Sequence, residues 1–163
     1  MTRQVRACIG LGANLGDAAG TLQRAFEALD ACEGIALLSA SRLYRTPAWG
    51  REDQPDFINA VALVDTTLAP RALLAQLLAV EAAFGRQRVE GERWGPRTLD
   101  LDLLLYGDAV VDEPGLHVPH PHLHERAFAL VPLLEVLPDA RIPGYGDARD
   151  AVSALEMSNI HPL

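Results

Sequence analysis

Asp100 and Asp102 stand one leucine apart in Arg93 to Tyr106, RWGPRTLDLDLLLY, where a short basic-aromatic loop runs into an apolar strand. Side chains alternate faces along a strand, so Thr98, Asp100 and Asp102 share one face. Leu99, Leu101, Leu103 and Leu105 share the other and read as core. Two residues of strand rise put the carboxylates ~7 Å apart along their face. Hard oxygen donors at that spacing suit one or two Mg²⁺ ions that also hold substrate phosphates. A bare D-x-D says little. This one follows Arg86, Arg88, Arg93 and Arg97, whose guanidinium forks match phosphate oxygens.

Other residues narrow the chemistry. The chain has no lysine, which excludes a P-loop, a protein-kinase strand lysine and Schiff-base catalysis. A net charge of −8 argues against a nucleic-acid binder with a basic surface, while leaving room for a local cationic site. Gly10, Gly12 and Gly16 imitate a dinucleotide fingerprint, but the last spacing is one residue too long, and a tight turn around Asn14 is the simpler reading. His117, His120, His122 and His124 lack a zinc-site spacing, and Pro119 and Pro121 break any helix that could align them. His120, between those prolines and near Arg126, is the candidate hydrogen-bond donor to a phosphate. Trp49 sits in a Pro/Gly loop where packing needs no indole, so it could stack on a flat heteroaromatic ligand. Asn59 could read such a ligand with its amide or serve as a buried, backbone-satisfying side chain. Cys8 and Cys32 are too few for a disulfide framework.

The elements that must position these groups follow from periodicity and capping. Val5 to Leu11 reads as a buried strand, and Asp17 caps a helix from Ala18 to Ala31. Ile35 to Tyr44 and Phe57 to Asp65 read as strands around a 12-residue polar loop, Arg45 to Asp56. Pro70 opens a helix running to Phe84. The D-x-D strand then turns at Gly107-Asp108 into a small hairpin with Ala109 to Val111. Helices near Arg126 to Leu137 and Asp147 to Met157 finish the chain. The order β-α-β-β-α-β predicts an α+β fold: a ferredoxin-like split βαβ antiparallel sheet with helices on one face and a helical C-terminal addition. The other sheet face is expected to stay open, with the carboxylates on it. Length predicts a single domain over residues 1–163. No run of 18 apolar residues and no signal-peptide core occur, so a cytoplasmic location is expected.

Five stretches together resemble the 6-hydroxymethyl-7,8-dihydropterin pyrophosphokinases of folate biosynthesis. They are IGLGANLGD at 9–17, YRTPAWGREDQPDFINAV at 44–61, FGRQR at 84–88, RWGPRTLDLDLLLYG at 93–107 and VPHPHLHERAFALVPL at 118–133. The resemblance implies the same split-βαβ fold and transfer of the β,γ-pyrophosphoryl group of ATP to the pterin hydroxymethyl, releasing AMP. It implies that Asp100 and Asp102 hold two Mg²⁺ ions, with Arg86 and Arg97 also catalytic. It puts Glu81, Arg88, Trp94, Arg97, His120 and Arg126 on ATP, and Thr46, Pro47, Trp49, Phe57, Asn59 and Phe128 around the pterin. Leu78, Gly115 and His117 depart from better-known members near the nucleotide. The implied partners are these small molecules, with no nucleic acid, no membrane and a monomeric chain. Two rivals remain: two-metal nucleotidyl transfer, and a non-catalytic ferredoxin-like module binding single-stranded RNA, which the charge and the carboxylate pair disfavour.

Overall fold

Two strand-helix-strand units interleave into one antiparallel sheet. The first is β1 (Val5–Ala13), α1 (Ala18–Ala31) and β2 (Ile35–Ala40); the second is β4 (Phe57–Thr66), α2 (Pro70–Ala83) and β5 (Asp100–Tyr106). β4 lies between β1 and β2, and β1 between β4 and β5, which is the split βαβ arrangement that the element order predicted. β3 (Tyr44–Thr46) pairs with the remaining half of β4, and β10 (His161–Pro162) adds to β3. The chain is seen here as a computed structural model that describes residues 4–47, 56–85, 99–155 and 159–163.

Local signals account for most of these elements. The Asp17 carboxylate accepts the Gly20 amide at 3.0 Å, the cap expected at the start of α1. Leu22, Ala25, Phe26 and Leu29 then fall on one buried stripe. The predicted second strand is broken in two. Ser41 donates its amide to the Val61 carbonyl and accepts the Val61 amide on its hydroxyl, both at 2.9 Å, so a side chain takes over the ladder there.

α1 and α2 cover one sheet face. Leu22, Leu29, Leu73 and Leu77 pack on Ile9, Leu11, Ala60, Val64, Leu101 and Leu103. Each fully buried leucine contributes about 1.5–3 kcal/mol by leaving water. The helical C-terminal addition lies on the opposite face, the one expected to stay open. α3 (Ala127–Val136) and α4 (Ala148–Ser153) pack Leu130, Leu133, Ala148 and Ala151 on Cys8, Val61, Leu63, Leu104 and Leu105. Leu105 is thus a correction. The register between β1 and β5 shifts at Cys8/Ile9, pairing Cys8 with Leu105 and Ile9 with Leu103. This bulge at Leu104 turns Leu105 to the carboxylate side.

The hairpin expected with Ala109 to Val111 also differs. β6 (Val111–Glu113) pairs with β7 (Leu116–Val118) instead of returning to β5. Gly115 makes the turn at φ +75°, a conformation open to glycine. The two-residue strands β8 (Arg141–Ile142) and β9 (Gly146–Asp147) form a further hairpin. α4 ends at Ser153, short of the predicted Met157, which lies outside the described residues.

Candidate active site

The face under α3 is polar at one end, and the strand register shows why its residues meet. Tyr44 pairs with Asn59, Asn59 with Gly12, and Gly12 with Asp100. The next row toward α3 runs Val61, Gly10, Asp102. With strands ~4.8 Å apart, Asn59 and Asp100 stand about 10 Å apart across a strand that presents only glycine between them. A Cβ on Gly12 would come within 3.0 Å of the Asn59 Oδ1, so the missing side chain is what lets the amide lie there. The result is a row with glycine at its centre, an amide on one side and carboxylates on the other, which can floor a trough for substrate.

The amide wall is held in place. Asn59 Nδ2 donates to the Thr46 hydroxyl at 2.8 Å in a buried contact. Asn59 and Thr46 are both 7% exposed, so this bond offsets most of the cost of burying polar groups. Phe57 pairs with Thr46 in the register and Pro47 follows the strand. Phe128 packs at the edge of the second apolar cluster, with the Arg126 guanidinium carbon 5.6 Å from its ring centroid.

The carboxylate wall meets the segment after β7. The His120 amide donates to the Leu104 carbonyl at 3.0 Å, tying His120 to the bulged residue two past Asp102. Burial, then the charges of Arg126 and His122, lower the His120 pKa to about 4, while Asp100 pulls it the other way. The ring is therefore neutral at pH 7. Its Nδ1 accepts the His122 amide at 3.2 Å, which leaves the proton on Nε2. His120 then carries a donor N–H beside Asp100 and Arg126. The neighbouring histidines separate: His117 meets Asp112 at 2.9 Å, while His122 and His124 lie by Glu125.

Glu81 stands apart from this face. It is 2% exposed on α2, and its Oε2 accepts the amide of Leu101 on the edge strand β5 at 2.7 Å, bracing the strand that carries both aspartates. Trp49, Arg86, Arg88, Arg93, Trp94, Arg97 and Thr98 lie outside the described residues.

With this geometry in hand, comparison with known proteins decides the family. Residues 8–138 match the family described as 7,8-dihydro-6-hydroxymethylpterin-pyrophosphokinase (HPPK). The chain belongs to the HPPK family. It is 47% identical over 155 residues to the 2-amino-4-hydroxy-6-hydroxymethyldihydropteridine pyrophosphokinase of Methylorubrum extorquens, covering 95% of this chain and 96% of that one. It is 42% identical to the protein of the same name from Pseudomonas aeruginosa, over 97% and 96% of the two chains. The fold is shared with a solved HPPK-DHPS in complex with substrates, with a TM-score of 0.77 at 12% identity. That match covers 99% of this chain but 47% of the solved one, so the chain spans just under half of its length. Every HPPK site residue expected here falls inside the matched segment, whereas β8 to β10 and α4 lie beyond it.

Three contributors escaped the sequence reading. Gly12 looked like part of a turn, yet it sits in a strand beneath Asn59. Tyr44 and Glu135 share a hydrogen bond across 91 residues, and no local pattern announces it.

Proposed function

We propose that the trough is a two-sided transfer site, in which Asp100 and Asp102 hold two Mg²⁺ ions and the ATP phosphates while Thr46, Asn59 and Phe128 hold the dihydropterin. The chain is an ATP-dependent pyrophosphokinase that transfers the β,γ-pyrophosphoryl group of ATP to 6-hydroxymethyl-7,8-dihydropterin, a step of folate biosynthesis. One observation carries the assignment of residues: Asn59 and Asp100 share a row and a face with only Gly12 between them.

The donor set fits magnesium. Two hard carboxylates lie on one strand face. That suits an ion whose shell is completed by water and substrate phosphates. Bound there, Mg²⁺ would neutralise phosphate charge and favour ionisation of the attacking hydroxyl. The chain's own residues then position. Asn59 orients the pterin with its fixed amide, with Pro47, Trp49 and Phe57 completing the pocket. His120 donates its Nε2–H to a phosphate oxygen, and Arg126 adds charge beside it. Arg86, Arg88 and Arg97 neutralise the triphosphate, Trp94 contacts ATP, and Glu81 braces β5. In-line placement and charge neutralisation supply the catalysis, so no general base is assigned.

The same reading takes one domain over residues 1–163, acting as a cytoplasmic monomer without nucleic acid. No helix among the described residues is long and apolar enough to cross a membrane. Phosphorus NMR of the protein with ATP and the pterin tests the reaction. Mg²⁺-dependent AMP with a pterin pyrophosphate is expected; release of free pyrophosphate would mean nucleotidyl transfer instead.

A further inference from the structure

β3 carries Thr46, yet little ladder holds it. It is three residues long, pairs with only three residues of β4, and has the two-residue β10 on its other side. A second anchor comes from α3. One Glu135 oxygen accepts the Arg42 backbone amide at 2.5 Å, and the other accepts the Tyr44 hydroxyl. Tyr44 is 4% exposed and pairs with Asn59, so its ring lies on the same face as the amide wall.

Glu135 also stands seven residues after Phe128, two turns along the same stripe of α3. Pro132 between them lacks the N–H that would bond the Phe128 carbonyl, which weakens the helix at that turn. The relative placement of Phe128 and the Thr46–Asn59 pair therefore depends on contacts made from outside the helix ladder.

We infer that Glu135, through Tyr44 and the Arg42 amide, is a positioning residue for the pterin side of the site, holding β3 so that Thr46 keeps the Asn59 amide aimed at the trough. This rests on the pterin pocket proposed above. The electrostatics agree with the geometry. Burial alone would raise the Glu135 carboxyl, but hydrogen bonds from Tyr44 and the Arg42 amide, with the Arg42 charge, outweigh it and hold it below the usual range. The carboxyl is thus ionised at pH 7, and its bonds are charge-assisted.

Steady-state kinetics in both substrates test this on the full chain. Glu135→Ala and Tyr44→Phe should raise the pterin KM about tenfold while ATP KM and kcat stay within about twofold. Glu135→Gln, which keeps one acceptor oxygen, should fall between wild type and Glu135→Ala. Tyr44→Phe removes one hydroxyl from a packed ring and keeps the test valid if Glu135→Ala folds poorly. Equal rises in both KM values, or a lowered Tm with unchanged kinetics, would overturn the inference. Asn59→Ala serves as the marker. If it leaves pterin KM unchanged, the pocket assignment and the inference fail together; if it raises that KM while Tyr44→Phe and Glu135→Ala do not, the inference alone fails.

Discussion

On the face under α1 and α2, the inward positions of β1 and β5 and of β4 from Ile58 to Val64 are apolar and closely packed. On the face under α3 and α4, the same strands begin apolar at Cys8, Leu63 and Leu105 and end in Gly12, Asn59, Asp100 and Asp102. The first face needs only volume and periodicity. The second, on the function proposed above, must keep polar groups within reach of substrate; it has glycine at Gly12 and ties its buried amide to Thr46. Among the described residues no buried side-chain nitrogen or oxygen lacks a hydrogen bond. Apolar packing thus holds both faces, and the proposed chemistry is confined to the polar end of the second.

That separation can be broken at either side. Asp102→Ala should lower kcat about a thousandfold or more, a loss of ~4 kcal/mol in transition-state stabilisation, with little change in Tm. Near-normal turnover would detach the carboxylates from the chemistry. Leu22→Ala on the opposite side should cost about 2–5 kcal/mol of stability in urea unfolding while leaving both KM values of the folded enzyme unchanged. Gly12→Ala should raise pterin KM roughly tenfold, ~1.4 kcal/mol, because its methyl must displace the Asn59 oxygen, and should leave ATP KM alone.

The smallest effect is on pH. The native Glu135 carboxyl lies below its unfolded value of about 4.3, so its contribution is present above that pH and lost as acid passes through the native value. Glu135→Gln should therefore lose less stability than wild type between about pH 5 and pH 3, read from urea midpoints. A parallel loss in both proteins would remove Glu135 from the acid response.

Much of the first face was legible because its signals are local. The bounds of α1 follow from Asp17 and an apolar stripe, and β4 follows from the alternation of Phe57 to Asp65. Asp100 and Asp102 were legible as paired acids on a leucine strand. The side that α3 takes was not, since an apolar helix carries no mark of which sheet face it will cover. The bulge that turns Leu105 inward depends on how β1 and β5 align, a property of two strands about 90 residues apart. Thr46 and Asn59 were grouped by resemblance; their hydrogen bond appears only once β3 folds onto β4. Tyr44 and Glu135 meet only through tertiary packing.

Calorimetry of a non-hydrolysable ATP analogue, with and without Mg²⁺, tests the two-sided site most directly when run on Asp102→Asn and Asn59→Ala. Asp102→Asn should lose the Mg²⁺-dependent gain in nucleotide affinity, and Asn59→Ala should keep it. A full Mg²⁺ gain in Asp102→Asn would contradict the assignment of β5 as the metal and phosphate wall.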